Sequence, residues 1–245
     1  MDVARTDPIL VWGPNGSGTS LYLNALVCWL HVDRLTPRLV VLPANEEASA
    51  WVVGRVRPTA DGFDVSPRPA AAAQGYDFRL YELAPHTPSA GDAGAHPVAP
   101  LRCWSGLPPA DAPLPERFAS DLRHARGIIV LVGNDAPPRD SAVARTLALL
   151  GASAEGRAIP VAACLTDLDA APEAVRQDAA RSLERRDAEG ARALGRRGSA
   201  GAAFRVSSLG HAPRRHGERV ILHAAPEPRG ILEPIRWILS REIAA

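Results

Sequence analysis

The sequence predicts an α/β fold: a three-layer sandwich with a mostly parallel central sheet and helices on both faces. Three observations carry that reading. Short continuous apolar runs such as Ile128-Ile129-Val130-Leu131-Val132 recur along the chain, as strands buried on both faces require. Helix-length segments alternate with them, the pattern of parallel strands joined by crossover helices. The 245 residues are 46% hydrophobic and 22% charged, near the averages of globular chains. The 20 glycines and 23 prolines are numerous, yet stay below the ~25–30% that marks low complexity. A core can form with long loops around it, and neither a repeat nor a domain boundary stands out over residues 1–245.

Taken in order, Ile9-Leu10-Val11-Trp12 is a buried strand ended by glycine. Residues 21–30 are apolar on most faces and read as a buried helix. Leu39-Val40-Val41-Leu42 is a second strand, and residues 51–56 fit a strand or a short helix equally. Tyr76-Asp77-Phe78-Arg79-Leu80-Tyr81 alternates, as a half-buried strand does. Residues 84–117 hold eight prolines and little periodicity, so a long loop insertion is expected there. Helices follow at 116–126 and at 140–150, the second capped by Asp140 or Ser141. Strands are expected at 128–132 and 161–165, a polar helix at 172–192 with Pro172 in its first turn, and a short last strand at 204–206. Residues 219–223 fit an extra strand. Residues 231–243 form an amphipathic helix with Ile231, Leu232, Ile235, Ile238 and Leu239 on one side.

Charge and cysteine content narrow the function. With 28 basic and 27 acidic residues the net charge is +1, which excludes a globally basic nucleic-acid binder. No lysine occurs, so all 28 basic residues are arginine; an Ala- and Pro-rich chain of this kind looks like the product of a GC-rich bacterial genome. Cys28, Cys103 and Cys164 lie far apart without CxxC spacing, which argues against a disulfide framework or a zinc site and for reduced thiols in a cytoplasmic protein. No signal peptide is expected, because Asp2, Arg5 and Asp7 occupy the start and no apolar h-region with a cleavage site follows. Residues 8–32 lack charge, but the polar loop within them could not satisfy its backbone in lipid, so no membrane span is expected.

The chemistry lies in that loop. Gly13-Pro14-Asn15-Gly16-Ser17-Gly18-Thr19-Ser20 matches the phosphate-binding pattern G-x-x-x-x-G-K-[ST], except that Thr19 stands at the lysine position. A strand precedes it and a helix opens from it. Glycines let successive N–H groups curl around a phosphate, and the helix start adds partial positive charge. Ser20 offers a hydroxyl to Mg2+. A plain glycine-rich turn is the alternative.

In motif order the chain resembles P-loop GTPases of the TRAFAC class, most closely the bacterial double-GTPase (DO-GTPase) proteins found beside conflict and signalling genes. In that family the third strand ends in D-x-x-G, whose Asp reaches Mg2+ through water and whose Gly N–H reaches the γ-phosphate. The resemblance places Glu82-Leu83-Ala84-Pro85 there, with Glu82 as the catalytic carboxylate candidate and Pro85 lacking the N–H. The guanine-reading [NT]-K-x-D tetrad is matched by Thr166-Asp167-Leu168-Asp169: Asp169 would accept from the base, and Asp167 replaces the lysine. A pair of helix-capping Asp residues is the alternative there. Ser207-Ser208-Leu209-Gly210 matches the small-residue loop after the sixth strand. The family's switch threonine has no clear counterpart, Thr59 being the one threonine in its range. The resemblance thus implies GTP or GDP on Gly13, Asn15, Gly16, Ser17, Gly18, Thr19, Ser20, Asp169, Ser207 and Ser208, with Mg2+ on Ser20 if nucleotide binds.

Other constellations carry less. His86 and His96, and His211 and His216, lack a Cys or carboxylate at metal-ligand spacing. The arginine pairs at 185–186, 196–197 and 214–215 interleave with acidic residues, as solvated faces do. The expected function is a pseudo-GTPase-like binding or switch module in a bacterial multiprotein system, with weak or no hydrolysis. A slow GTPase using an Arg for the missing lysine, and an interaction module binding no nucleotide, are the alternatives. Leu101, Trp104, Leu107, Leu114 and Phe118 suggest that loop 84–117 docks another protein.

Overall fold

The computed structural model describes residues 7–29, 38–66, 74–83, 95–105, 115–133, 141–153, 158–166 and 178–241. In chain order, β1 (Ile9–Trp12) leads into α1 (Thr19–Asn24), which continues as a π-helical turn, Ala25–Trp29. Then come β2 (Arg38–Pro43), α2 (Glu46–Val53), β3 (Arg57–Thr59), β4 (Gly62–Asp64), β5 (Gln74–Leu83) and β6 (Ala95–Ser105). The second half holds α3 (Glu116–Arg123), β7 (Gly127–Val132), α4 (Ala142–Ser153), β8 (Val161–Leu165), α5 (Ala179–Arg186) and α6 (Ala188–Gly195). It closes with β9 (Gly201–Arg205), β10 (Arg214–His216), β11 (Arg219–Leu222) and α7 (Glu233–Leu239).

The apolar runs of β1, β7 and β8 are buried along their whole length. They occupy the middle of a seven-stranded sheet ordered β2-β5-β6-β1-β7-β8-β9. β6, β1, β7, β8 and β9 are mutually parallel, and β5 is antiparallel to both neighbours. Alternation along β1 divides the core into two layers. Ile9 and Val11 face one layer, filled by Tyr22, Leu26, Val52, Ile235 and Ile238 from α1, its π-turn, α2 and α7. Leu10 and Trp12 face the other, filled by Phe118, Leu122, Val143, Leu150, Leu183 and Leu194 from α3 to α6. Helices therefore cover both faces of a mostly parallel sheet, as expected. A smaller antiparallel sheet, β10-β11-β4-β3, packs through Val56, Val65, Leu209 and Leu222 with Leu21 of α1. Of its four strands only β11 was foreseeable as an extra strand.

Caps set the helix starts. Asn45 accepts from Ala48 N at 2.8 Å ahead of α2, and Ser141 accepts from Ala144 N at 2.8 Å ahead of α4. Asp140 lies outside the described residues. The segment 51–56 begins as the end of helix α2 rather than as a strand. Of the expected helix at 172–192, residues 172–177, Pro172 among them, lie outside the described residues, and the rest is two helices. Asp187 breaks it with a non-helical φ of −144° and caps α6 through Gly190 N at 2.7 Å.

The largest departure is at 84–117. Its middle is β6, which pairs with β5 on one side and β1 on the other. Leu101, Trp104 and Phe118 are core residues, at 0%, 3% and 0% exposure. Trp104 donates from Nε1 to Asp121 Oδ2 at 2.9 Å and meets Phe118 edge-on. Docking another protein with these side chains is therefore corrected: they complete the sheet's cover. Leu107 and Leu114 lie outside the described residues. Among the described residues no helix is long and apolar enough to cross a membrane.

Candidate functional site

The chain leaves β1, builds β2, β5 and β6 on one side, then crosses to build β7, β8 and β9 on the other. The carboxyl end of β1 is thus where the winding reverses, the place where open α/β sheets bind ligands. Loop 13–18 springs from that end. Ser17 N–H donates to Pro14 O at 3.0 Å and closes a turn. Gly16 and Gly18 have φ of 85° and 80°, the left-handed region that favours glycine. Gly18 is the N-cap of α1 and offers no side-chain acceptor, so the first amides of the helix are left for an acceptor from outside the helix. Asn15 and Gly16 are exposed, and Ser20 is half-buried beside them.

Thr19, at the position of the lysine, is 8% exposed, and its Oγ1 lies 2.9 Å from the buried Ser17 Oγ. Its side chain is turned into the loop's underside, where it brings no charge to the mouth. Gly13 has no room for a side chain: a Cβ there would meet the Ser17 side chain and lie 2.7 Å from Leu131 O. Tyr22 anchors the helix from below, donating its hydroxyl to Ile231 O at 2.8 Å. Burial, with the nearby Cys164, pushes the Tyr22 phenol up.

The structure brings Thr166 of the tetrad to this loop. Its N–H donates to Val132 O at 3.0 Å, and its Oγ1 donates to Ser17 O at 2.5 Å. Thr166 is buried at 1% exposure, so the bond is shielded from water. Arg186, at the end of α5, donates from Nη1 to Thr166 O at 3.3 Å. The end of α5 is itself fixed beside the start of α4, because Ser141 Oγ donates to Asp187 Oδ2 at 2.7 Å. Asp167 and Asp169 lie outside the described residues.

Ser207 and Ser208 follow β9 at the same edge of the sheet. Ser207 exchanges backbone hydrogen bonds with Arg229 at 2.9 and 2.8 Å, and its Oγ accepts from Gly210 N at 2.9 Å. Ser208 is buried.

Glu82 is not brought to the site. It pairs with His96, whereas Trp12, the last residue before the loop, pairs with Trp104. Eight residues of β6 separate those levels, roughly 25 Å at about 3.3 Å per residue. On this side of the sheet the strand beside β1 and parallel to it is β6, not β5, and it ends at Ser105. Thr59 is likewise engaged elsewhere, its Oγ1 donating to Gly62 O at 3.1 Å across the β3–β4 turn. Ala84, Pro85 and His86 lie outside the described residues. Among the described residues no group of three His, Cys, Asp or Glu side chains is placed to hold a metal.

Two residues at the site escaped sequence reasoning. A Cβ on Gly133, at the end of β7, would lie 2.7 Å from Gly16 O and 3.0 Å from Ser17 Cα; glycine there lets β7 abut the loop. Arg186 lay within a charge run that reads as a solvated face. Neither carries a local signal, because each role depends on a neighbour distant in the chain. No protein-family model matches this chain, and no curated protein matches it.

Proposed function

We propose that the chain is a pseudo-GTPase-like binding or switch module of a bacterial multiprotein system, taking GTP or GDP on loop 13–18. The observation that carries this reading is the loop's place and shape. It lies at the carboxyl end of the central strand where the sheet's winding reverses, with two left-handed glycines and an uncapped helix start. That arrangement suits an anionic phosphate. Thr166, bonded to Ser17 O, supports the match of its tetrad to the base-reading motif, and loop 207–210 stands at the corresponding edge.

The same site is poor in groups that stabilise a phosphoryl-transfer transition state. Thr19 replaces the lysine, and β6 ends in Ser105 where the resemblance calls for a carboxylate. The phosphate fits the loop. The Mg2+ set is short, with Ser20 as its one candidate among the matched positions. Binding without appreciable turnover follows.

Loss of the charge-assisted lysine contact costs about 1.5–3 kcal/mol, or roughly ten- to a hundred-fold. Calorimetric titration with GDP should therefore give micromolar or weaker binding. Thr19→Lys should tighten it at least about ten-fold, and Gly18→Val should remove it. Failure of wild type and Thr19→Lys alike to bind GDP at millimolar concentration would overturn the reading.

A further inference from the structure

We infer that Arg186 is the cation of this site, supplying from α5 the charge that Thr19 does not supply from the loop; the inference rests on the phosphate-loop reading above. Loop 13–18 can offer a polyphosphate only amide dipoles and hydroxyls. The chain has no lysine, so any charge the protein adds at neutral pH comes from arginine or a protonated histidine. Arg186 is the described arginine whose hydrogen bond ends on the residue that holds the loop.

The linkage is short. Arg186 Nη1 donates to Thr166 O at 3.3 Å, and Thr166 Oγ1 donates to Ser17 O at 2.5 Å. The guanidinium therefore stands two hydrogen bonds from the backbone of the loop. It is half-buried, where a charge acts through a lower effective dielectric than in water. Its place is fixed independently of the loop: the next residue, Asp187, bonds through one oxygen to Ser141 Oγ at 2.7 Å and through the other to Gly190 N at 2.7 Å. Those bonds tie the end of α5 to the starts of α4 and α6, at the carboxyl edge of the sheet. A guanidinium has five N–H donors in a planar fork, and the bond to Thr166 O uses one of its nitrogens, Nη1. Arg185, one position earlier, is exposed and serves as the internal control.

The test is GDP titration by calorimetry, at low and at moderate salt, of wild type, Arg186→Ala, Arg186→Gln, Arg186→Lys and Arg185→Ala. Arg186→Gln keeps a long stem and a donor for Thr166 O but no charge, so it separates electrostatics from bracing. Melting temperatures identify any variant that fails to fold. The expected result is about ten-fold weaker GDP binding for Arg186→Ala and Arg186→Gln. Arg185→Ala should stay near wild type, Arg186→Lys should bind more tightly than the two uncharged variants, and the salt dependence should flatten in those two. If wild type binds GDP and Arg186→Gln binds it equally well, the inference fails while the phosphate-loop reading stands. If Arg186→Ala weakens binding but Arg186→Gln restores it, Arg186 only braces Thr166 and the inference also fails. No GDP binding by wild type or by Thr19→Lys overturns both.

Discussion

Thr166 joins three separate segments within one residue: it donates to the backbone carbonyls of Val132 and Ser17 and accepts from the Arg186 side chain. Its bond to Ser17 spans 149 positions of the chain. Thr166→Val keeps the shape and removes the hydroxyl donor. Leaving a buried carbonyl short of its partner costs about 1–3 kcal/mol, so the unfolding free energy should fall by that amount and the urea midpoint with it, and Thr166→Ser should recover most of the loss. A Thr166→Val midpoint equal to wild type would show that the brace carries no stability. The cysteines give a second residue-scale test. Cys103 and Cys164 are fully buried and Cys28 is half-buried; burial pushes all three thiols up. A raised thiol pKa lowers the thiolate fraction at any given pH, and the thiolate is the nucleophile. Iodoacetamide at pH 8 should therefore label the native protein slowly, with Cys28 first and its rate still rising as pH climbs past the ordinary thiol range. Urea should release all three; fast native labelling of Cys103 would contradict the placement of β6. At this scale loop 13–18 was legible, because a turn through left-handed conformations writes itself as glycine. Gly133 was not, since its need for a bare Cα comes from the Gly16 carbonyl across the fold.

Among elements, β6 teaches most. Prolines are confined to edges and bulges in ordinary sheets, which is why residues 84–117 read as a loop. In the structure Pro97 and Pro100 fall before Leu101, where pairing with β1 begins, and a register shift with β5 lies between Leu80 and Tyr81. β6 is central only over its carboxyl-terminal part and is an edge where its prolines sit, so their missing N–H groups break no ladder with β1. Composition averaged over the whole stretch hides that division. β1, β7 and β8 were legible because burial on both faces leaves unbroken apolar runs, and β5 because it alternates; β3, β4 and β10 were not, being three residues each. The break between α5 and α6 depends on both oxygens of Asp187 being engaged by Ser141 and Gly190, one of them far along the chain. If β6 is core, Trp104→Ala opens a cavity against Trp12 and Phe118 and takes the indole N–H from buried Asp121. A Trp-to-Ala change of this kind costs about 3–5 kcal/mol. The variant should melt many degrees lower or fail to fold, and an unchanged melting temperature would return this segment to the surface.

At the scale of the whole molecule, two cores of very different size share one chain. The main sheet separates two broad apolar layers. The small sheet rests on four buried residues, Val56, Val65, Leu209 and Leu222, with Leu21, Phe63 and Val220 packed against them. Each such side chain contributes about 1.5–3 kcal/mol when fully buried, and so few of them hold four strands that the small sheet should open without global unfolding. In hydrogen exchange, amides of β4 and β11 should exchange well before those of β1, β7 and β8. The satellite core also leans on the proposed site at two points: Leu21 belongs to the first turn of α1, and Leu209 to the loop after β9. A ligand that orders loop 13–18 and loop 207–210 therefore stabilises the surfaces on which the small sheet rests. Saturating GDP should slow exchange in β4 and β11 as well as at the loop, although no residue of those strands belongs to the loop. Protection of β4 and β11 equal to that of β7 without ligand would show that the small sheet is no satellite. Slowing confined to residues 13–20 would show that Leu21 and Leu209 transmit nothing.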